Sequence, residues 1–184
     1  MPSDTSQFLR VLHLPYPKLV DEIQGHNVMK YDPQEGPSFS IGEDIRVTWK
    51  AEGKDTGYVF CCYEVTLAPG RGIPLHKHPY AEFFCVLEGK VDFQRWNDAG
   101  ETEWITCSAG ATALAPPNAP HTFFNRNEQT ARFIATSTYH HERMVKESKT
   151  PTGILNEGYS HPTPEGFEHL NKSQERDQVY YLKD

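Results

Sequence analysis

The sequence has no cluster of lysine and arginine, no apolar run approaching the length of a membrane span, and very little helical periodicity. A formal net charge of -7 with the basic residues dispersed excludes the electrostatic footprint by which nucleic-acid binders neutralise phosphates. The short apolar runs exclude a helix that crosses a bilayer. Met1 to Gln7 has neither the basic start nor the apolar stretch of a secretory leader, which leads to the expectation of a cytoplasmic protein. Cysteine is scarce, four in 184 residues. Cys61, Cys62 and Cys85 lie inside apolar strand-like runs, where free thiols pack as small hydrophobes, so no disulfide framework is expected.

Proline, glycine and β-prone residues are plentiful, and they set the organisation. With 37% apolar and 23% charged residues, the chain has the composition of one folded domain. Residues 1–40 hold one apolar stretch, Phe8 to Leu14, followed by Pro15, Pro17, Pro33 and Pro37, and read as an N-terminal arm. From about residue 41 the character changes. Strand-like runs at Ile45 to Trp49, Tyr58 to Leu67, Ile73 to His78, Glu82 to Leu87, Lys90 to Trp96, Glu103 to Cys107, Ala111 to Leu114, His121 to Asn125 and Ala131 to Tyr139 are separated by turn residues such as Glu88-Gly89 and Asn97 to Gly100. Short strands at this spacing predict an all-β sandwich or barrel over 41–140. His141 to Lys149 is the one helical stretch of the second half, charged and without a wide apolar face. The rest of 141–184 reads as a tail lying on the barrel, with a β-prone Val179 to Leu182 near its end.

The chemistry concentrates in two segments. His76 and His78 are two apart in a strand-like run, so both imidazoles face the same side and reach one ion. Glu82 follows after the corner Pro79-Tyr80-Ala81 and opens the strand Phe83 to Leu87; if it faces inward, so do Phe84 and Val86. A lone carboxylate heading a core strand costs several kcal/mol to bury, and ligating a cation offsets that cost. His121 leads its own strand in the same way after Pro116 to Pro120. Three imidazoles and a carboxylate suit one divalent transition metal: iron, nickel, manganese, copper or zinc. His140 and His141 are adjacent, cannot share a strand face, and read as surface or hinge histidines; His13, His26, His161 and His169 have no ligand spacing. Phe60, Tyr63, Phe84, Phe93, Phe123 and Phe133 read mainly as core, those nearest the ligands lining an apolar pocket.

These residues stand in an order that resembles the two signature motifs of the cupin superfamily. The first runs Gly70, five residues, His76, one, His78, three, Glu82, six, Gly89; the second runs Gly110, five residues, Pro116, then Asn118, two, His121, three, Asn125. Asn118 stands where the family usually has glycine, and asparagine also tolerates positive φ. The resemblance implies a double-stranded β-helix (jelly-roll) barrel with the metal at its mouth on His76, His78, Glu82 and His121, flanked by an arm, a short C-terminal helix and a tail. A single barrel with an arm, a strand ending in Ala68-Pro69-Gly70 and a helix after the last strand is similar to the quercetinase-like dioxygenases. That likeness implies O2-dependent cleavage of a phenolic or diketone-like small molecule, with Glu82 as ligand or as the base taking the substrate's proton. Tyr63, Phe84, Val86 and Phe123 are the expected substrate pocket, and a homodimer is expected through barrel edges and arms. The alternatives are non-oxidative isomerase, cyclase, decarboxylase or lyase chemistry with the metal as Lewis acid, and a small-molecule binding module.

Overall fold

A computed structural model describes residues 28–41, 44–147 and 180–181. The strands are β1 (Ser38–Ile41), β2 (Ile45–Ala51), β3 (Phe60–Leu67), β4 (His76–Lys77), β5 (Glu82–Glu88), β6 (Lys90–Trp96), β7 (Thr102–Ser108), β8 (Thr112–Ala115), β9 (Thr122–Phe124), β10 (Ala131–Thr138) and β11 (Tyr180–Tyr181), with one α-helix among the described residues, α1 (Tyr139–Glu147), after β10. Six strands form one sheet in the order β1-β2-β3-β10-β5-β8, three form a second in the order β7-β6-β9, and β11 pairs with β4. All pairings are antiparallel. The Phe8 to Leu14 run, the histidines at 13, 26, 161 and 169, and most of the tail lie outside the described residues.

Alternation explains the core. In β3, Cys61, Tyr63, Val65 and Leu67 are buried, and in β5 so are Glu82, Phe84 and Val86, while Phe83 and Leu87 face out. The register carries this row across the sheet, Tyr63 opposite Ala135 and Ala135 opposite Phe84. The aromatic rings of Phe84, Phe93, Phe123 and Phe133 then meet at the centre, with centroids 4.9 to 6.5 Å apart in tilted or edge-on pairs. Phe60, expected in the core, is instead 42% exposed, because it falls in the outward row of β3 at the strand's first residue.

Two local features bring the second motif against the first. Asn118 takes φ 63°, the left-handed conformation that its position requires, and its amide donates to the His78 carbonyl at 2.7 Å. Gly72 bridges Phe124, and a Cβ on Gly72 would overlap the Phe123 carbonyl oxygen and the Phe124 ring, so only glycine permits this approach. The run expected as a strand over Ile73 to His78 is regular only at β4, since its partners are isolated bridges and the two residues of β11.

Candidate metal centre

His76 and His121 face each other across a backbone bridge, each amide donating to the other's carbonyl at 3.0 and 2.9 Å. Their rings lie 4.4 Å apart, and His78 sits 5.6 Å from the first and 4.8 Å from the second. Glu82, the first residue of β5, completes the group: the ligand atoms of His76, His78, Glu82 and His121 all lie within 4.8 Å of one another, and all four residues are buried. The four side chains singled out by spacing therefore converge on one point inside the barrel.

Hydrogen bonding decides which atoms face that point. His76 Nδ1 lies 3.0 Å from the Pro74 carbonyl, His78 Nδ1 2.7 Å from that of Tyr80, and His121 Nδ1 2.8 Å from that of Ala119. A carbonyl accepts only, so each neutral ring carries its proton on Nδ1 and keeps a lone pair on Nε2. The Nε2 atoms of His78 and His121 stand 3.3 and 3.4 Å from Glu82 Oε2. Lone pairs facing a carboxylate oxygen in a buried site have nothing to share unless a cation lies among them, and the donor set fits a divalent transition metal.

Burial, with the neighbouring His121 and His78, holds His76 well below its ordinary value, only partly offset by Glu82. Burial alone raises the Glu82 carboxyl, but His141, His121 and His78 outweigh it and keep the group ionised, well below the usual carboxylate range. Burial pushes the Tyr63 phenol well above its ordinary value, and the charge of Glu82 adds to this.

His141, read from sequence as a surface or hinge residue, is 3% exposed and belongs to this site. Its Nε2 lies 2.8 Å from the Tyr63 hydroxyl and 3.4 Å from Glu82 Oε1, while His140 is exposed. The helix starts at Tyr139, two residues earlier than expected, and buries His141, Glu142, Met144 and Val145 along one face. Half of that face is polar and satisfied by tertiary partners, so apolar periodicity could not reveal it. The one available signal was position, a histidine just beyond the end of a core strand. Of the expected pocket residues, Tyr63 donates its hydroxyl to Glu82 Oε1 at 2.7 Å and Phe84 lies 6.3 Å from the His121 ring. Val86 and Phe123 are packed in the core cluster.

Burial pulls His141 down to about 4, against an unfolded value of 6.5, with Glu82 opposing. A depressed histidine stabilises the folded chain above its unfolded value, and that contribution is lost as pH falls, because the unfolded chain then binds the extra proton. In chelator, stability measured by denaturant unfolding is expected to be level above pH 6.5 and to drop by about 3 kcal/mol towards pH 4 from His141 alone. His76 adds to the same trend.

The cupin domain family matches residues 63–137. Among solved structures the chain is similar to an oxalate oxidase, 16% identical with a TM-score of 0.50 over 80% of this chain and 77% of that one. It is also similar to an oxalate oxidase in complex with the substrate analogue glycolate, 17% identical, TM-score 0.50, over 62% of each chain. A mutant oxalate decarboxylase, OxdC of Bacillus subtilis, matches at 16% identity and TM-score 0.51 over 64% of this chain and 31% of that one. At these identities the likeness is of fold alone. The chain spans 58% and 62% of the two oxalate oxidases solved with glycolate. No curated protein matches it in sequence. No helix among the described residues is long and apolar enough to cross a membrane. The family match begins at Tyr63, whose hydroxyl holds Glu82, and ends at Ser137 in β10, enclosing both motifs, and the fold is a cupin β-barrel capped by a short helix.

Proposed function

We propose that this protein is a metal-dependent dioxygenase that holds one divalent transition metal on His76, His78, Glu82 and His121 and cleaves a phenolic or enolic small molecule with O2. The observation that carries the reading is the buried convergence of three Nε2 lone pairs and one ionised carboxylate oxygen. Such an ion, when bound, supplies positive charge for an ionised hydroxyl or enol oxygen and an open position for chemistry with O2. With one carboxylate among four ligands the centre keeps a single net positive charge, which one enolate or phenolate neutralises.

The protein's own residues do the rest. The three imidazoles, fixed by backbone carbonyls, orient the centre. Tyr63, with its hydroxyl on Glu82, and Phe84 reach the ligand set, with Val86 and Phe123 behind them as the apolar wall that excludes water. Glu82 either stays on the ion as its anionic ligand, the state its depressed carboxyl favours, or swings off to take the substrate's hydroxyl proton.

The test combines metal analysis of the native protein with oxygen uptake on flavonols and β-diketones. Substrate-dependent uptake is expected, and Glu82→Gln is expected to lower the rate about 10²–10⁴-fold, the range for loss of a positioned base. Turnover that proceeds unchanged under argon on zinc would move the chain to isomerase, cyclase, decarboxylase or lyase chemistry; a ligand held unchanged would make it a binding module. A Glu82→Gln protein with full metal and full rate removes the base role.

A further inference from the structure

We infer that Tyr63 and His141 form a clamp on Glu82 that fixes which carboxylate oxygen faces the ion, so that helix α1 is a working part of the metal centre; this rests on the metal occupancy proposed above. The two oxygens of Glu82 live in different surroundings. Oε2 is turned towards Nε2 of His78 and His121, at 3.3 and 3.4 Å. Oε1 is turned the other way, accepts the Tyr63 hydroxyl at 2.7 Å and lies 3.4 Å from His141 Nε2. A phenol has one proton to give. Donated to Glu82, it leaves the Tyr63 oxygen to accept from His141 Nε2 at 2.8 Å, and the chain reads His141 N–H to Tyr63 O–H to Glu82 Oε1.

The Nδ1 of His141 is buried without a hydrogen-bond partner among the described residues, so the ring is held through Nε2 and by packing, parallel to Tyr63 with 9° between planes at 5.9 Å and edge-on to His78 and Tyr80 at 5.4 and 5.6 Å. A buried imidazole with one nitrogen unsatisfied is a poorer core residue than leucine, and what it gains in return is the contact to the Tyr63–Glu82 pair.

The position of the ring is set in turn by how α1 docks. Glu142 accepts from the Gly53 amide and from Lys146, which also bridges to Glu52. Tyr139 packs edge-on against Tyr58 at 5.0 Å and closes on Gly53, where a Cβ would overlap its ring. Neither Tyr63 nor His141 is among the four converging ligands, so both are positioning residues. With Oε1 engaged, Glu82 offers the ion one oxygen; with the clamp gone, the carboxylate is free to rotate and to offer both or swing away.

Cobalt(II) added alone to the chelator-treated full chain reads this directly, through competition with a chromophoric chelator for affinity and through the visible d–d bands for coordination. Tyr63→Phe and His141→Leu are each expected to weaken cobalt about 10–100-fold, the usual cost of losing a partner that orients a ligand, and to alter the d–d bands. His141→Gln, whose amide N–H replaces the ring N–H, is expected to stay within about threefold of wild type with wild-type bands, as is the exposed neighbour His140→Ala. Wild-type affinity and bands in both Tyr63→Phe and His141→Leu overturn the clamp. A wild-type protein that takes up no cobalt overturns the metal-centre reading instead. If circular dichroism shows His141→Leu unfolded, Tyr63→Phe, which loses one hydroxyl and keeps the ring, decides alone.

Discussion

Replacing His121 with alanine is expected to weaken metal binding by well over the roughly 10–100-fold typical of losing an orienting partner, since a donor atom itself is removed. The other three ligands come from one stretch of seven residues, 76 to 82, whereas His121 stands 39 residues beyond Glu82 in the second motif. Among the four converging side chains it alone comes from that motif. The check is calorimetric and thermal together. In wild type, free metal at about 100 times Kd stabilises the fold by about 2.7 kcal/mol. For a chain of this size that is about 5–10 °C in Tm. In His121→Ala the metal-dependent increment is expected to vanish while the chelator-treated protein melts close to its wild-type counterpart. An increment that survives the substitution removes His121 from the ligand set.

The largest effect on stability is expected at Phe133. Its side chain is fully buried in β10 and meets the rings of Phe84, Phe93 and Phe123, at 6.0, 6.5 and 4.9 Å. Cutting it to alanine removes the ring from the junction of the two sheets, and the β10 pairings to both β3 and β5 hold the backbone so that the hole cannot collapse. A loss of about 3–5 kcal/mol is expected by urea denaturation. At 2–4 °C per kcal/mol that lowers Tm by roughly 10 °C. A change below about 1 kcal/mol would show that the core repacks around Phe133.

The contrast between these positions shows what local pattern carries. The ligand geometry was legible because it follows from short-range rules: i and i+2 share a strand face, a three-residue corner separates His78 from Glu82, and Asn118 accepts the left-handed conformation that brings His121 round. The inward row Glu82, Phe84, Val86 followed from the same alternation. Sheet order did not, because nothing local says that β10 lies between β3 and β5. Nor did the burial of Glu64, which sits on the outward row of β3 yet is only 2% exposed. Arg132 at 2.8 Å, Lys50 at 3.2 Å and the Gln34 amide, drawn from three separate segments, cover it. His141 is the same case at the site. Its role depends on where a helix docks, and the groups that satisfy it are far away in sequence.

The backbone bridge between His76 and His121 has a consequence for which ions the protein accepts. The bridge fixes the distance between the two backbones, and the Nδ1 bonds to the Pro74 and Ala119 carbonyls hold the rings, so the site behaves as a gauge whose jaw is set before any ion arrives. Large ions such as calcium, with bonds of 2.3–2.6 Å and a preference for oxygen, are refused on both counts. First-row metals with bonds to nitrogen near 2 Å all pass the same gauge, so an ion held here would follow cellular supply, with copper the strongest competitor wherever it is free.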